Sequence, residues 1–219
     1  MSAAMTDERK RKWKKAGVSS LIGAAVGAGT VSLALWAAGE GLLAAMGPSR
    51  IVLGGIGLVF VLVGAMVGFG LAAPRAGAKL LNVGDAEELV EDRPKLLSSA
   101  LYMGWIGLTL LLLALARTPD FTAGIVAPGV ALAALAVLMV VSLLSYYWMR
   151  SYDEFDRQLG LEGASWAFLI AGAVLLPWAA FDALGYNAPL ASLDVIAVLA
   201  ISLIAGSFVA VARRGMMVR

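Results

Sequence analysis

Glu40, Asp182 and Asp194 are the acidic side chains that stand within or beside the long apolar stretches of this chain, and any chemistry inside those stretches would start from them. An ionisable group in hydrocarbon is costly, so it faces protein, water or a partner. When the spans are drawn as below, all three fall toward one side of the membrane, where Arg50 and Arg117 are the only cations. Two readings are open. In one, the carboxylates line an outward-facing vestibule for a cation or small solute. Asp182 and Asp194 would then face each other across a turn, and close carboxylates push one pKa upward, which would suit proton coupling. In the other, each carboxylate sits within about one turn of the interface, where the cost has largely gone. The second is preferred, because a transport path carries polar groups at the midplane. Here the mid-span polar residues are small hydroxyls, Ser32, Thr109, Ser142, Ser165 and Ser202, which can bond to their own helix carbonyls.

The residue types that are missing exclude more. With no His and no Cys the chain cannot build a His- or thiolate-ligated haem, a Cys/His zinc site, a disulfide or a His-based triad. An intramembrane serine protease would also need a base near its serine, and no span holds a Lys or His. Gly55, Gly57 and Phe60 fall at the spacing of a dinucleotide fingerprint, but Phe60 stands where the third glycine belongs and the apolar run continues past it. At the inner surface Asp153, Glu154, Asp156 and Arg157 could hold a metal and a phosphate. Helix capping and headgroup contact explain the same residues more simply. The chain is therefore read as a non-enzyme, with no catalytic, cofactor-binding or metal-binding residue and no cofactor.

What must position these groups follows from composition. Of 219 residues, 61% are hydrophobic and 15% charged, and mean hydropathy is +0.87. A soluble domain carries about 25% charged residues and about 45–50% apolar ones. Crossing about 30 Å of hydrocarbon takes about 20 apolar residues in a helix. Six stretches qualify, at 16–46, 51–73, 96–116, 121–148, 164–184 and 191–212. The expected fold is all-α, a polytopic transmembrane helical bundle with six spans and both termini cytoplasmic. Residues 1–15 form a basic tail, 16–214 the membrane domain and 215–219 a second tail. The first apolar stretch is about twice as long as a cleavable signal's apolar region of about 7–15 residues, so it reads as a retained span. Pro128 and Pro177 are expected to kink the fourth and fifth helices.

Orientation follows from the cations, since Lys and Arg flanking spans stay on the cytoplasmic side. Of the 17 Lys and Arg, all but Arg50 and Arg117 fall on one side of a six-span chain. Trp13, Tyr146, Tyr147, Trp148, Tyr152 and Phe155 mark the inner boundary, and Trp36, Trp178, Phe181 and Tyr186 the outer one. The basic run from Arg9 to Lys15 is read as an orientation and lipid-surface signal and not as a nucleic-acid site.

Packing has its own signal. Gly23 and Gly27 in the first span, and Gly64 and Gly68 in the second, are GxxxG pairs that let two backbones approach closely. Packing of the first span on the second is preferred to a homodimer seam, because a tight turn, Gly47-Pro48-Ser49, joins them. Asp85 with Glu88, and Ser151 with Glu154, have capping-box spacing and place short surface helices in the two inner loops. Residues 85–150 and 153–214 could be two copies of a two-span unit, with residues 7–73 a more divergent third.

Asp153, Glu154, Arg157, Leu161, Glu162 and Gly163 form DE-x-x-R-x-x-x-LE-G ahead of a span. This resembles a segment at the start of a helix in small, uncharacterised bacterial inner-membrane proteins, over about the last third of the chain. The resemblance implies a bacterial cytoplasmic membrane and no activity. The function expected is that of a non-catalytic accessory or scaffold subunit, with the lipid bilayer and another membrane protein, or itself, as partners. The alternative is a small transporter or channel using Glu40, Asp182 and Asp194.

Overall fold

The computed structural model describes residues 29, 39–80, 86–148, 152–186 and 189–215. The described elements are all helical: α1 (Glu40–Ala45), α2 (Pro48–Ala72), α3 (Pro74–Leu80), α4 (Ala86–Glu91), α5 (Arg93–Ala114), α6 (Pro128–Trp148), α7 (Glu154–Ala183) and α8 (Ser192–Arg213). Five of them, α2, α5, α6, α7 and α8, are long and apolar enough to cross a membrane. The chain is by that measure a multi-pass membrane protein. Most of the first expected span, with Gly23 and Gly27, lies outside the described residues, and so do Asp85 and Ser151 of the two capping boxes; the end of that span, from Glu40, is the separate short helix α1, which starts after Gly39 at φ 76°.

Helix starts follow local chemistry. Proline stands in the first turn of α2 and of α5, where its missing N–H deprives no partner. Asp153 caps α7, its Oδ1 accepting from the Asp156 N–H at 2.8 Å, so the cap lies two residues after the expected Ser151. α7 then runs unbroken for 30 residues, about 45 Å at 1.5 Å per residue. The surface helix and the fifth span are thus one element, longer by its polar first turns than the about 20 residues a span needs. Pro177 lies inside it.

The fourth span departs furthest from expectation. It begins at Pro128 and not at residue 121, so Pro128 opens the helix and kinks nothing. Proline disfavours helical backbone in the residue before it, and residues 115–127 form an irregular connection instead. Arg117 N–H donates to the Val126 carbonyl at 2.8 Å, and Val126 N–H donates to that of Leu115 at 3.1 Å. A side chain at Gly124 would strike the Arg117 backbone at 2.6 Å, which explains the glycine.

Two close helix pairs carry the packing. α2 runs antiparallel to α5, and α7 to α8, with α8 also touching α2 and α6 resting on α5. A Cβ at Gly57 would meet the Gly107 carbonyl oxygen at 2.9 Å, and one at Gly64 would meet the Ala100 oxygen at 2.7 Å. In the second pair a Cβ at Gly206 would meet the Gly163 oxygen at 2.5 Å. Such approaches replace the solvent-driven attraction that lipid cannot supply. The core joins the pairs: Leu53, Ile56 and Phe60 of α2 and Ile106, Leu110 and Ala114 of α5 meet Ala197 and Ala200 of α8. α5 is thus paired with α2, whereas α7 is paired with its own hairpin partner, so the two suggested repeat units are packed differently.

Candidate functional site

One end of the bundle gathers the starts of α5 and α7 and the finish of α8. Lys95, in the first turn of α5, donates from Nζ to Asp156 Oδ2 of α7 at 3.1 Å. Asp153 Oδ2 and Asp92 Oδ1 stand farther off, at 3.6 and 3.8 Å. One cation therefore faces two carboxylates across the gap between α5 and α7 and a third at the start of its own helix. The Asp153 carboxyl is held below its ordinary range chiefly by the Asp156 N–H that it caps, and further by Lys95.

Beside this group α8 closes on α7. Arg214 donates from Nε to Glu162 Oε2 at 2.9 Å, and Arg213 lies 4.0 Å from the same carboxylate. The Arg213 guanidinium sits 5.2 Å from the Trp166 ring centre, and that of Arg214 lies 5.3 Å from Phe155. The Glu162 of the sequence motif is thus an anchor for the end of α8. Between α5, α7 and α8 lies a cleft of about 370 Å³. Its mouth carries the exposed Asp92, Lys95 and Tyr152 with the half-buried Asp156, and the half-buried Leu96, Leu159 and Val211 supply apolar wall.

At the opposite end Arg50 of α2 reaches the finish of α5. Its Nη1 donates to the carbonyls of Ala114 at 3.0 Å and Ala116 at 3.1 Å, and its Nη2 to Thr118 Oγ1 at 2.8 Å. Arg117 Nε donates to the Gly124 carbonyl at 2.9 Å. Both cations counted on this side of the chain are engaged by backbone.

The three carboxylates singled out from sequence are placed as follows. Glu40 opens α1, and its side chain lies outside the described residues. Asp182 is exposed in the last turn of α7, where its carbonyl accepts from the Gly185 N–H at 3.0 Å. Asp194 is half-buried in the first turn of α8, a position that the helix dipole favours for an anion. Among the described residues no group of three or more acidic side chains is placed to hold a metal. Of the four packing glycines, Gly64 meets α5, and a Cβ at Gly68 would meet nothing among the described residues within 4 Å.

Sequence reasoning did not single out Gly107, Gly163 or Gly206 as packing positions. The signal was present in Gly163/Ala167 and Gly206/Ala210, small residues four apart, and in Gly104/Gly107, three apart. Nothing in the sequence joins Lys95 to Asp156, which are 61 residues apart.

No family model, curated protein or solved structure matches this chain.

Proposed function

We propose that this is a six-span protein of the bacterial cytoplasmic membrane, with both termini and the Lys95 end inside, and that it acts without catalysis as an accessory or scaffold subunit. What supports this reading is the use made of the described charged groups. Arg50 is engaged by the carbonyls that end α5 and Arg214 by Glu162. A catalytic centre needs convergent groups aimed at a reacting atom, whereas these aim at helix ends and at one another. Meanwhile α6 carries Leu132, Val137, Met139, Val140 and Leu143 exposed along its length, a surface suited to lipid or to the helices of another membrane protein.

Purification of the full chain from its native membrane in a mild detergent tests the proposal. A stoichiometric membrane partner, or a defined self-assembly, is the expected result. A lone monomer, both in detergent and after reconstitution at native density, overturns it. Reporter fusions at Lys79 and Arg157 should both read cytoplasmic, and opposite readings would defeat the six-span topology.

A further inference from the structure

We propose that the cleft between α5, α7 and α8 is a phospholipid site selective for a primary-ammonium headgroup, an ethanolamine phospholipid.

The cleft lies at the end of the bundle where α5 and α7 start and α8 finishes, and its exposed lining is mainly charged or hydroxylated while its half-buried lining is largely apolar. The mouth is made of Asp92, Lys95, Tyr152 and Asp156, with Ser99 one helical turn further along α5. Leu159, Ala210 and Val211 contribute apolar wall from α7 and α8. α5 packs on α2, α4 and α6 and not closely on α7, so the ion pair from Lys95 to Asp156 bridges an opening instead of sealing a contact. A gap of this kind in the hydrocarbon boundary is filled by lipid, and at about 370 Å³ it falls within the range of about 300–1,000 Å³ typical of small-molecule sites.

Charge selects among lipids. Among the lining residues two carboxylates, Asp92 and Asp156, stand with the single cation Lys95, and Asp153 lies 3.6 Å from that cation outside the lining. An anionic headgroup without an ammonium offers those carboxylates no partner. Lys95 comes within hydrogen-bond distance of only one of the three carboxylates, at 3.1 Å; the others lie beyond the usual reach of about 3.2 Å. A headgroup ammonium brings three N–H donors, which Asp92 and Asp156 can accept as charge-assisted bonds. Its phosphate oxygens can in turn accept from Lys95 Nζ and from the hydroxyls of Ser99 and Tyr152. A quaternary ammonium fits the same charge but has no N–H to give, so the carboxylates should tell ethanolamine from choline. This assignment requires a membrane-spanning bundle and does not depend on the scaffold role.

The test uses the full chain, purified in mild detergent and exchanged into equimolar ethanolamine, choline and glycerol phospholipids with identical acyl chains, with retained lipid counted by native mass spectrometry. Ethanolamine lipid should be retained about fivefold over each of the others, the factor that about 1 kcal/mol of hydrogen bonding supplies. Asp92→Asn with Asp156→Asn should erase that preference. Leu159→Trp, which fills the apolar wall and leaves the mouth unaltered, should lower retention of all three. Equal retention of ethanolamine and choline lipid by the unaltered protein overturns the proposal. So does a preference for the anionic lipid, or an ethanolamine preference that survives the double substitution. The comparison on the unaltered protein decides the matter even where a variant fails to fold.

Discussion

Arg50 of α2 closes the carboxyl end of α5: its Nη1 lies 3.0 Å from the Ala114 carbonyl, and its guanidinium stacks 4.5 Å from the centre of the Phe121 ring. The last carbonyls of a helix have no intrahelical partner, and at a membrane boundary an unpaired one is expensive. The positive charge also opposes the negative end of the α5 dipole. Arg50→Met should therefore destabilise the fold by about 2–4 kcal/mol, the cost of a lost charged hydrogen bond with carbonyls left bare. Arg50→Lys should fall between, since an ammonium keeps the charge and loses the planar fork. Reversible unfolding in detergent micelles measures both, and equal stability of all three proteins would dismiss the cap.

The glycine seam makes a directional prediction within one contact. A Cβ at Gly64 would press on the Ala100 oxygen and the Gly104 nitrogen, whereas one at Gly104 meets nothing within 4 Å among the described residues. Gly64→Ala should thus cost about 1–3 kcal/mol, as overpacking does. Gly104→Ala should be neutral or stabilising by up to about 1 kcal/mol, the helix propensity gained. Identical effects at the two positions would count against the observed register of α2 on α5.

Much of this architecture was legible in the sequence, and its gaps have physical causes. Span length and apolarity located α2, α5 and α8 closely, because in each the apolar run and the helix have nearly the same bounds. Residues 121–127 pass the same test, yet the geometry of Pro128 and the crowding at Gly124 keep them out of α6. Phe155, Leu159 and Glu162 stand at a helical spacing that leads straight into the fifth span, and from the Asp153 cap the two run as one helix. Arg50, counted in the sequence only as an outer cation, is engaged by carbonyls 64 and 66 residues away, a pairing that no local pattern encodes. The mouth of the cleft was visible only as caps and charges, because its meaning depends on α5 and α7 standing side by side.

α6 is held to α5 by a polar contact as well as by packing. Tyr102 and Ser142 lie 2.8 Å apart, hydroxyl to hydroxyl, while Ser142 also donates to the Leu138 carbonyl at 2.7 Å. With both hydrogens assigned, Tyr102 is the donor across the helices. Tyr102→Phe should weaken the α5–α6 association by about 0.6 kcal/mol, the average for interhelical bonds in membranes. A double-mutant cycle with Ser142→Ala isolates that term, and strict additivity would show that the two hydroxyls are uncoupled.

The Asp153 cap sets a pH dependence whose sign can be worked out. Its folded pKa is lowered from an ordinary value of 3.8 by the Asp156 N–H first and by Lys95 second. A depressed carboxyl stabilises the fold above its unfolded pKa and loses that contribution as pH falls through the folded one. The start of α7 should be fully capped at pH 6 and should fray progressively below about pH 4. Hydrogen exchange at the Asp156 amide reports the change directly. Asp153→Asn keeps an acceptor oxygen without a titrating proton, so its exchange should lack the acid-dependent loss of protection. If the asparagine variant opened with the same acid profile as the unaltered protein, the proton responsible would belong to another group, and the bond from Asp156 N–H to Asp153 would not be what holds the first turn of α7.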